Sequence, residues 1–141
     1  MTPTQIELVQ KAWGKVTALN NSYVVEVYEE LFRLSPELSA LFPDHPQLPV
    51  AKVSETLNTV ITSLEQLDAL GFIIRDLGRR HQKFNVQSHQ FDLLKQAMTV
   101  VLARRLEGRF TPELAAAWSQ MYDEVAALMQ EGLRQPTDTL A

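Results

Sequence analysis

"DLGRRHQKFNV", residues 76–86, carries a histidine where a helix of this pattern calls for a leucine. Reading outward from it, Leu70, Ile74 and Leu77 precede His81 at helical spacing, and Phe84 follows three residues on. These positions draw one apolar stripe along one helix face, with His81 on the stripe and Arg79, Arg80, Gln82 and Lys83 on the wet side. An imidazole on a buried face needs a partner for each ring nitrogen. No acidic residue is placed to supply one, so a backbone carbonyl serves one nitrogen and the other is left over. Two readings follow: a hydrogen-bonded core histidine, or an axial ligand to an iron held in a flat apolar macrocycle.

The rest of the chain narrows the setting. At 141 residues it forms one domain with one core. Hydrophobic residues make up 45% and charged residues 21%, the balance of a globular protein rather than a disordered one. A net charge of -4 gives no general attraction to nucleic acid or to an anionic membrane surface. The absence of cysteine excludes disulfides, thiolate catalysis and cysteine-ligated zinc or iron–sulfur centres. No apolar run approaches the roughly 18 to 20 residues that span a bilayer. The opening "MTPTQIELVQ" lacks the basic-then-apolar layout of a signal peptide, so a cytoplasmic location is expected.

Helical periodicity continues from end to end. Thr4 and Glu7 fit a capping box for a first helix seamed by Ile6, Val9 and Trp13. A second helix starts near Asn21 or Ser22 and carries Val24, Val27, Tyr28, Leu31 and Phe32 on one face. In "SPEL", 35–38, a capping serine precedes a proline and predicts a short third helix. "FPDHPQLP", 42–49, holds three of the seven prolines and reads as a corner. Pro49 suits the next helix start, followed by Val50, Val53, Leu57, Val60, Ile61 and Leu64. After a break at "EQLDALG" comes the His81 helix, then one from Ser88 seamed by Phe91, Leu94, Met98, Val101 and Leu102. "TPEL", 111–114, launches the longest helix, with Leu114, Trp118, Met121, Tyr122, Val125 and Leu128 on its face. The prediction is an all-α domain of about seven helices over 1–134, with 135–141 as a frayed tail.

Signatures of other chemistry are missing. The glycines at 14, 71, 78, 108 and 132 are too scattered for a phosphate-cradling loop, and no serine sits in a nucleophile elbow. Glu29–Glu30 and Asp123–Glu124 read as solvated surface. Arg79, Arg80, Lys83, Arg104, Arg105 and Arg109 lack the interleaved aromatics of a nucleic-acid site. The three histidines contain no i, i+4 zinc pair.

Five stretches, in order, resemble the globins, especially the bacterial single-domain globins related to the globin half of flavohaemoglobins, and also neuroglobin. The resemblance covers about residues 4 to 133. "LGRRHQKFNV" is similar to the proximal-histidine stretch, and Trp13 to the first-helix tryptophan. Pro36 matches the proline opening the short third helix, and Phe42, six residues on, the phenylalanine stacked on haem. "FTPELAAAWSQMYDEV" resembles the opening of the last helix. The resemblance implies a globin fold, a three-over-three sandwich of helices around haem b.

It also implies a pocket. His81 becomes the iron ligand. Tyr28, eight residues before Pro36, falls where flavohaemoglobin-like globins place the tyrosine that donates to bound oxygen. Phe32, Phe42, Val53 and Leu57 would wall the distal side, and Leu77, Phe84, Val86, Phe91 and Leu94 the proximal side, though each serves equally as plain core. Arg80, Asn85 or Lys52 could pair with haem propionates, with a solvated face as the alternative. His89 reads as a capping or propionate-contacting residue, and His45 as an exposed loop residue rather than a second axial ligand. Three positions depart from the family pattern. Pro49 stands where the distal histidine or glutamine is usual, so Gln47 or Lys52 takes over, or Tyr28 acts alone. Phe91 replaces a tyrosine, and Gln135 replaces an acidic residue, of the network that enriches the proximal imidazole.

The expected function is reversible binding of oxygen or another diatomic gas, carbon monoxide and nitric oxide included, by a monomer or weak homo-oligomer. The alternatives are nitric oxide dioxygenation with an external reductase, and haem-based sensing through a partner. No nucleic-acid or membrane partner is expected.

Overall fold

The structure is a computed structural model that describes residues 1–17, 22–41 and 49–135. Its elements are α1 (Pro3–Thr17), α2 (Ser22–Leu34), a 3₁₀ helix (Pro36–Leu41) and α3 (Val50–Thr62). A 3₁₀ turn at Leu64–Gln66 leads into α4 (Leu67–Arg80), and another follows at His81–Phe84. Then come α5 (Ser88–Leu106), a turn at Glu107–Arg109 and α6 (Pro112–Leu133). Six α-helices and no strand are present among the described residues; the all-α expectation holds, and the expected short third helix is the 3₁₀ helix Pro36–Leu41 rather than a seventh α-helix. Phe42, His45, Gln47 and the tail from 136 lie outside the described residues.

The helix starts follow local chemistry. At α6 the Thr111 hydroxyl accepts from Leu114 N–H at 3.2 Å and Pro112 takes the first position, as expected. At α1 the cap lies two residues before the predicted Thr4–Glu7 box. Thr2 accepts from Gln5 N–H at 3.1 Å, and the Gln5 amide oxygen accepts from Thr2 N–H at 2.9 Å. Pro3 decides this register, because its fixed φ suits a first helical position. At Ser35 the expected cap does not form: the hydroxyl donates to Glu37 Oε1 at 2.6 Å, and the next element is 3₁₀ rather than α. Pro49 serves as the residue just outside α3 rather than its first member. The break before the His81 helix is shorter than "EQLDALG" suggested, since α4 already begins at Leu67.

The core is one cluster drawn from every α-helix but α4, with Val9, Tyr23, Ile61, Leu102 and Trp118 fully enclosed. Burying each aliphatic side chain of this kind contributes about 1.5–3 kcal/mol. Three polar links fix the register. Trp13 Nε1 donates to Asn58 Oδ1 at 3.1 Å, Tyr23 O–H to the Met98 carbonyl at 2.8 Å, and Tyr122 O–H to the Phe91 carbonyl. Glu30 corrects the reading of Glu29–Glu30 as a solvated pair. It is only 6% exposed and accepts from Arg33 at 2.7 and 3.0 Å, with Arg104 at 3.8 Å. A carboxylate can be enclosed here because it is paired.

The packing partners divide the helices. α4 packs chiefly on α6, α2 on α5, α1 on α6, and α3 on α1 and α2. Helices α3 and α4, consecutive in sequence, do not pack on each other to any comparable extent.

Candidate functional site

His81 terminates α4. Its backbone has helical angles (φ -82°, ψ -5°), and its side chain is half-buried. Nδ1 lies 2.7 Å from the carbonyl oxygen of Leu77, one turn earlier. A carbonyl can only accept, so the ring proton sits on Nδ1. Nε2 is left with its lone pair exposed to a ligand and no partner among the described residues. Phe84 meets the imidazole edge-on, 5.9 Å between centroids at 68°. Carbonyl and phenyl ring together hold the imidazole plane in one orientation.

The neighbouring elements supply an apolar surround. From α3, Val53 and Leu57 stand one turn apart, half-buried. Phe32 of α2, Val86 before α5 and Leu94 within it are also half-buried against the core, and Leu77 is half-buried beside His81. Phe91 is buried outright at 8% exposure, and Phe84 is 39% exposed. Half-buried large apolar side chains such as these suit contact with an apolar molecule. A half-buried imidazole with one lone pair open suits an iron at its centre. Among the described residues no group of three histidine, cysteine or carboxylate side chains could hold a bare metal ion. The donor set fits a macrocycle-held metal instead.

Tyr28 lies on α2, 8% exposed, with its ring 5.9 Å from that of Phe32. Burial pushes its hydroxyl up to about 12 from the ordinary 10.0. The phenol therefore stays protonated, and remains a donor, throughout the neutral range.

The polar candidates are less gathered. Arg80 pairs with Asp76 at 3.2 Å, and Asp76 is held below its ordinary value by the hydrogen bond from Arg79 and by both arginine charges. Asn85 takes left-handed angles (φ 53°), and its backbone and side-chain oxygens accept from Gln87 at 2.9 and 3.0 Å. Pro49, Lys52 and His89 are exposed. Lys52 has no ion-pair partner among the described residues, so of these side chains it is the cation left for an incoming carboxylate.

Three residues missed in the sequence bear directly on the site. Gly78 and Gly132 lie where α4 and α6 touch. Gln82, next to His81, donates through Nε2 to the carbonyls of Gly132, Leu133 and Gln135 at 3.3, 3.1 and 2.6 Å. Glu131, the last carboxylate before Gln135 in the sequence, is paired with Arg75. The only signal in the sequence was the pair of glycines inside helical patterns, where glycine costs about 1 kcal/mol against alanine.

The chain is an all-α domain with an oriented, half-buried histidine at the end of α4, and sequence comparison fixes the family. A profile described as globin matches residues 25–129, more than half of the chain. The chain belongs to the globin family. It is 28% identical over 140 residues to the neuroglobin of Tetraodon nigroviridis, covering 89% of this chain and 88% of that one. It is 27% identical to the neuroglobins of Chaenocephalus aceratus and Dissostichus mawsoni over the same shares. Family membership implies a haem cofactor and the binding of diatomic gases such as oxygen. No helix among the described residues is long and apolar enough to cross a membrane.

Proposed function

We propose that this globin binds oxygen, or another diatomic gas, reversibly at haem b held by His81, with Tyr28 as hydrogen-bond donor on the opposite side. The observation that carries the reading is the Nδ1–Leu77 carbonyl contact at 2.7 Å, which fixes the tautomer with Nε2 free for iron. When bound, haem supplies the iron that takes the gas. Leu77, Phe84, Val86, Phe91 and Leu94 would exclude water on the histidine side, and Phe32, Val53 and Leu57 on the other. Tyr28, kept neutral by burial, offers its O–H to a ligand carrying partial negative charge. Lys52 is the best placed cation for a propionate, since Arg80 and Asn85 are engaged by Asp76 and Gln87.

The same contact favours binding over oxygen activation. A carbonyl partner pulls on the Nδ1 proton less than a carboxylate, which would enrich the imidazole in electron density. Nitric oxide dioxygenation with a separate reductase is therefore the second reading. The visible spectrum of the purified, reduced protein, with and without carbon monoxide, tests the proposal. A haem spectrum that shifts on adding carbon monoxide is expected. Purification without haem, and failure to take it up, would reject it. Slow turnover of nitric oxide with any supplied reductase separates the two readings.

A further inference from the structure

The placement of His81 traces to helix α6. A Cβ at Gly78 would overlap the backbone carbonyl of Met129, and one at Gly132 would overlap the carbonyl of Arg75 and the amide nitrogen of Arg79. Backbone atoms do not swing aside as a flexible side chain does, so any substituent at either position must push α4 off α6. Neither glycine has positive φ. Both are therefore required by space, not by conformation. Gly71, on the same helix, makes the contrast: a Cβ there meets only the Arg75 guanidinium, at 3.1 Å, and that group can move.

The crossing is fastened at the end nearest the histidine. Gln82 directs its amide N–H groups to the carbonyls of Gly132 and Leu133 at the end of α6 and of Gln135 just past it, and the Gly132 carbonyl also accepts from Gln135 N–H at 3.1 Å. One residue back stands His81, and three before that stands Gly78. With α4 packed chiefly on α6, this seam sets where the His81 end of α4 lies.

We propose that Gly132 and Gln82 are positioning residues for the proximal histidine: the backbone-to-backbone crossing sets the height of His81, and the Gln82 amide locks its turn to the end of α6. The inference rests on His81 as iron ligand. Changes at the α4–α6 seam should then be read at the iron–histidine bond.

The test uses the haem-loaded protein in its Gly132→Ala, Gln82→Glu, Gln82→Lys and Gly71→Ala forms. The readouts are the iron–histidine stretching band of the reduced protein by resonance Raman and the rate of haem loss to a scavenger. Gly132→Ala and Gln82→Glu are expected to shift the band and to speed haem loss roughly tenfold or more, as disturbed outer-shell partners do. Gln82→Lys keeps donors toward the carbonyls, and Gly71→Ala meets only a movable side chain, so both should leave the band in place. If Gly132→Ala fails to fold, the opposed pair at Gln82 still decides. A lower melting temperature with an unmoved band in Gly132→Ala and Gln82→Glu would overturn the proposal. Should His81→Ala keep the band, the ligand assignment itself falls; should it lose the band while the other variants stay unmoved, only the positioning role falls.

Discussion

The carbonyl oxygen of Leu77 stands 2.7 Å from Nδ1 of His81, a turn-to-turn hydrogen bond that leaves the other ring nitrogen directed away from its own helix. This contact gives an anomaly of pattern, an imidazole on an apolar stripe, a fixed orientation, which the proposed function uses as that of an iron ligand. It also ties the histidine to the position of α4 as a whole, which is why the crossing with α6 matters to the site.

Tyr28→Phe should raise the oxygen dissociation rate by about one to two orders of magnitude. A hydrogen bond to a partly anionic ligand contributes roughly 1.5 to 3 kcal/mol, and about 1.4 kcal/mol is a factor of ten. Carbon monoxide carries less charge and should respond much less. Stopped-flow rates for both gases check this, and equal changes would mean a steric role.

The same residue gives a pH signature. With its folded value raised from 10.0 to about 12, the Tyr28 phenol contributes stability that is complete below the unfolded value. That contribution is lost as pH rises through the folded one. Its donor function should persist until the folded phenol itself deprotonates. Oxygen dissociation rates are expected to stay flat from neutral pH through the ordinary tyrosine range and to rise only as pH nears about 12, the rise being absent in Tyr28→Phe.

Glu30 titrates in the opposite sense. The hydrogen bond from Arg33, with the Arg33 and Arg104 charges, holds its carboxyl below the ordinary 4.5. Its stabilising contribution is present above that value and lost as pH falls through the lower folded one. Glu30→Gln should melt several degrees lower at neutral pH, and the difference should shrink in acid. A constant difference across a thermal-melt series would contradict the assignment.

Glu107 carries φ 52° and ψ -123°, an unfavourable pairing for a residue with a Cβ. Glu107→Gly should relieve that strain and raise stability by about 1 kcal/mol after the entropy cost of glycine. Denaturant titration reads this directly. Asn85, at φ 53°, should gain little from the same change, because asparagine tolerates the left-handed region.

Legibility followed the range of the forces. The Thr111–Pro112 start and the helical stripe through Leu70, Ile74, Leu77 and His81 were plain in the sequence, because each is decided within one or two turns. The α1 start was displaced since two Thr-based capping boxes compete and Pro3 settles between them. Ser35 was misread because its hydroxyl had a closer partner in Glu37. Buried Glu30, and the Tyr23 and Tyr122 hydroxyls reaching Met98 and Phe91, depend on which helix lies opposite. The Gly78–Gly132 contact is the extreme case: two residues 54 positions apart matter only once their helices cross. Phe42 belonged to the expected pocket and lies outside the described residues.

The most direct measurement of the central claim is the haem content and visible spectrum of His81→Ala beside the parent protein. The account expects the parent to purify with haem, and the variant to remain largely helical by circular dichroism while losing stable haem, with added imidazole restoring the bound spectrum. A variant that retained full haem with an unchanged spectrum would show that another residue binds the iron.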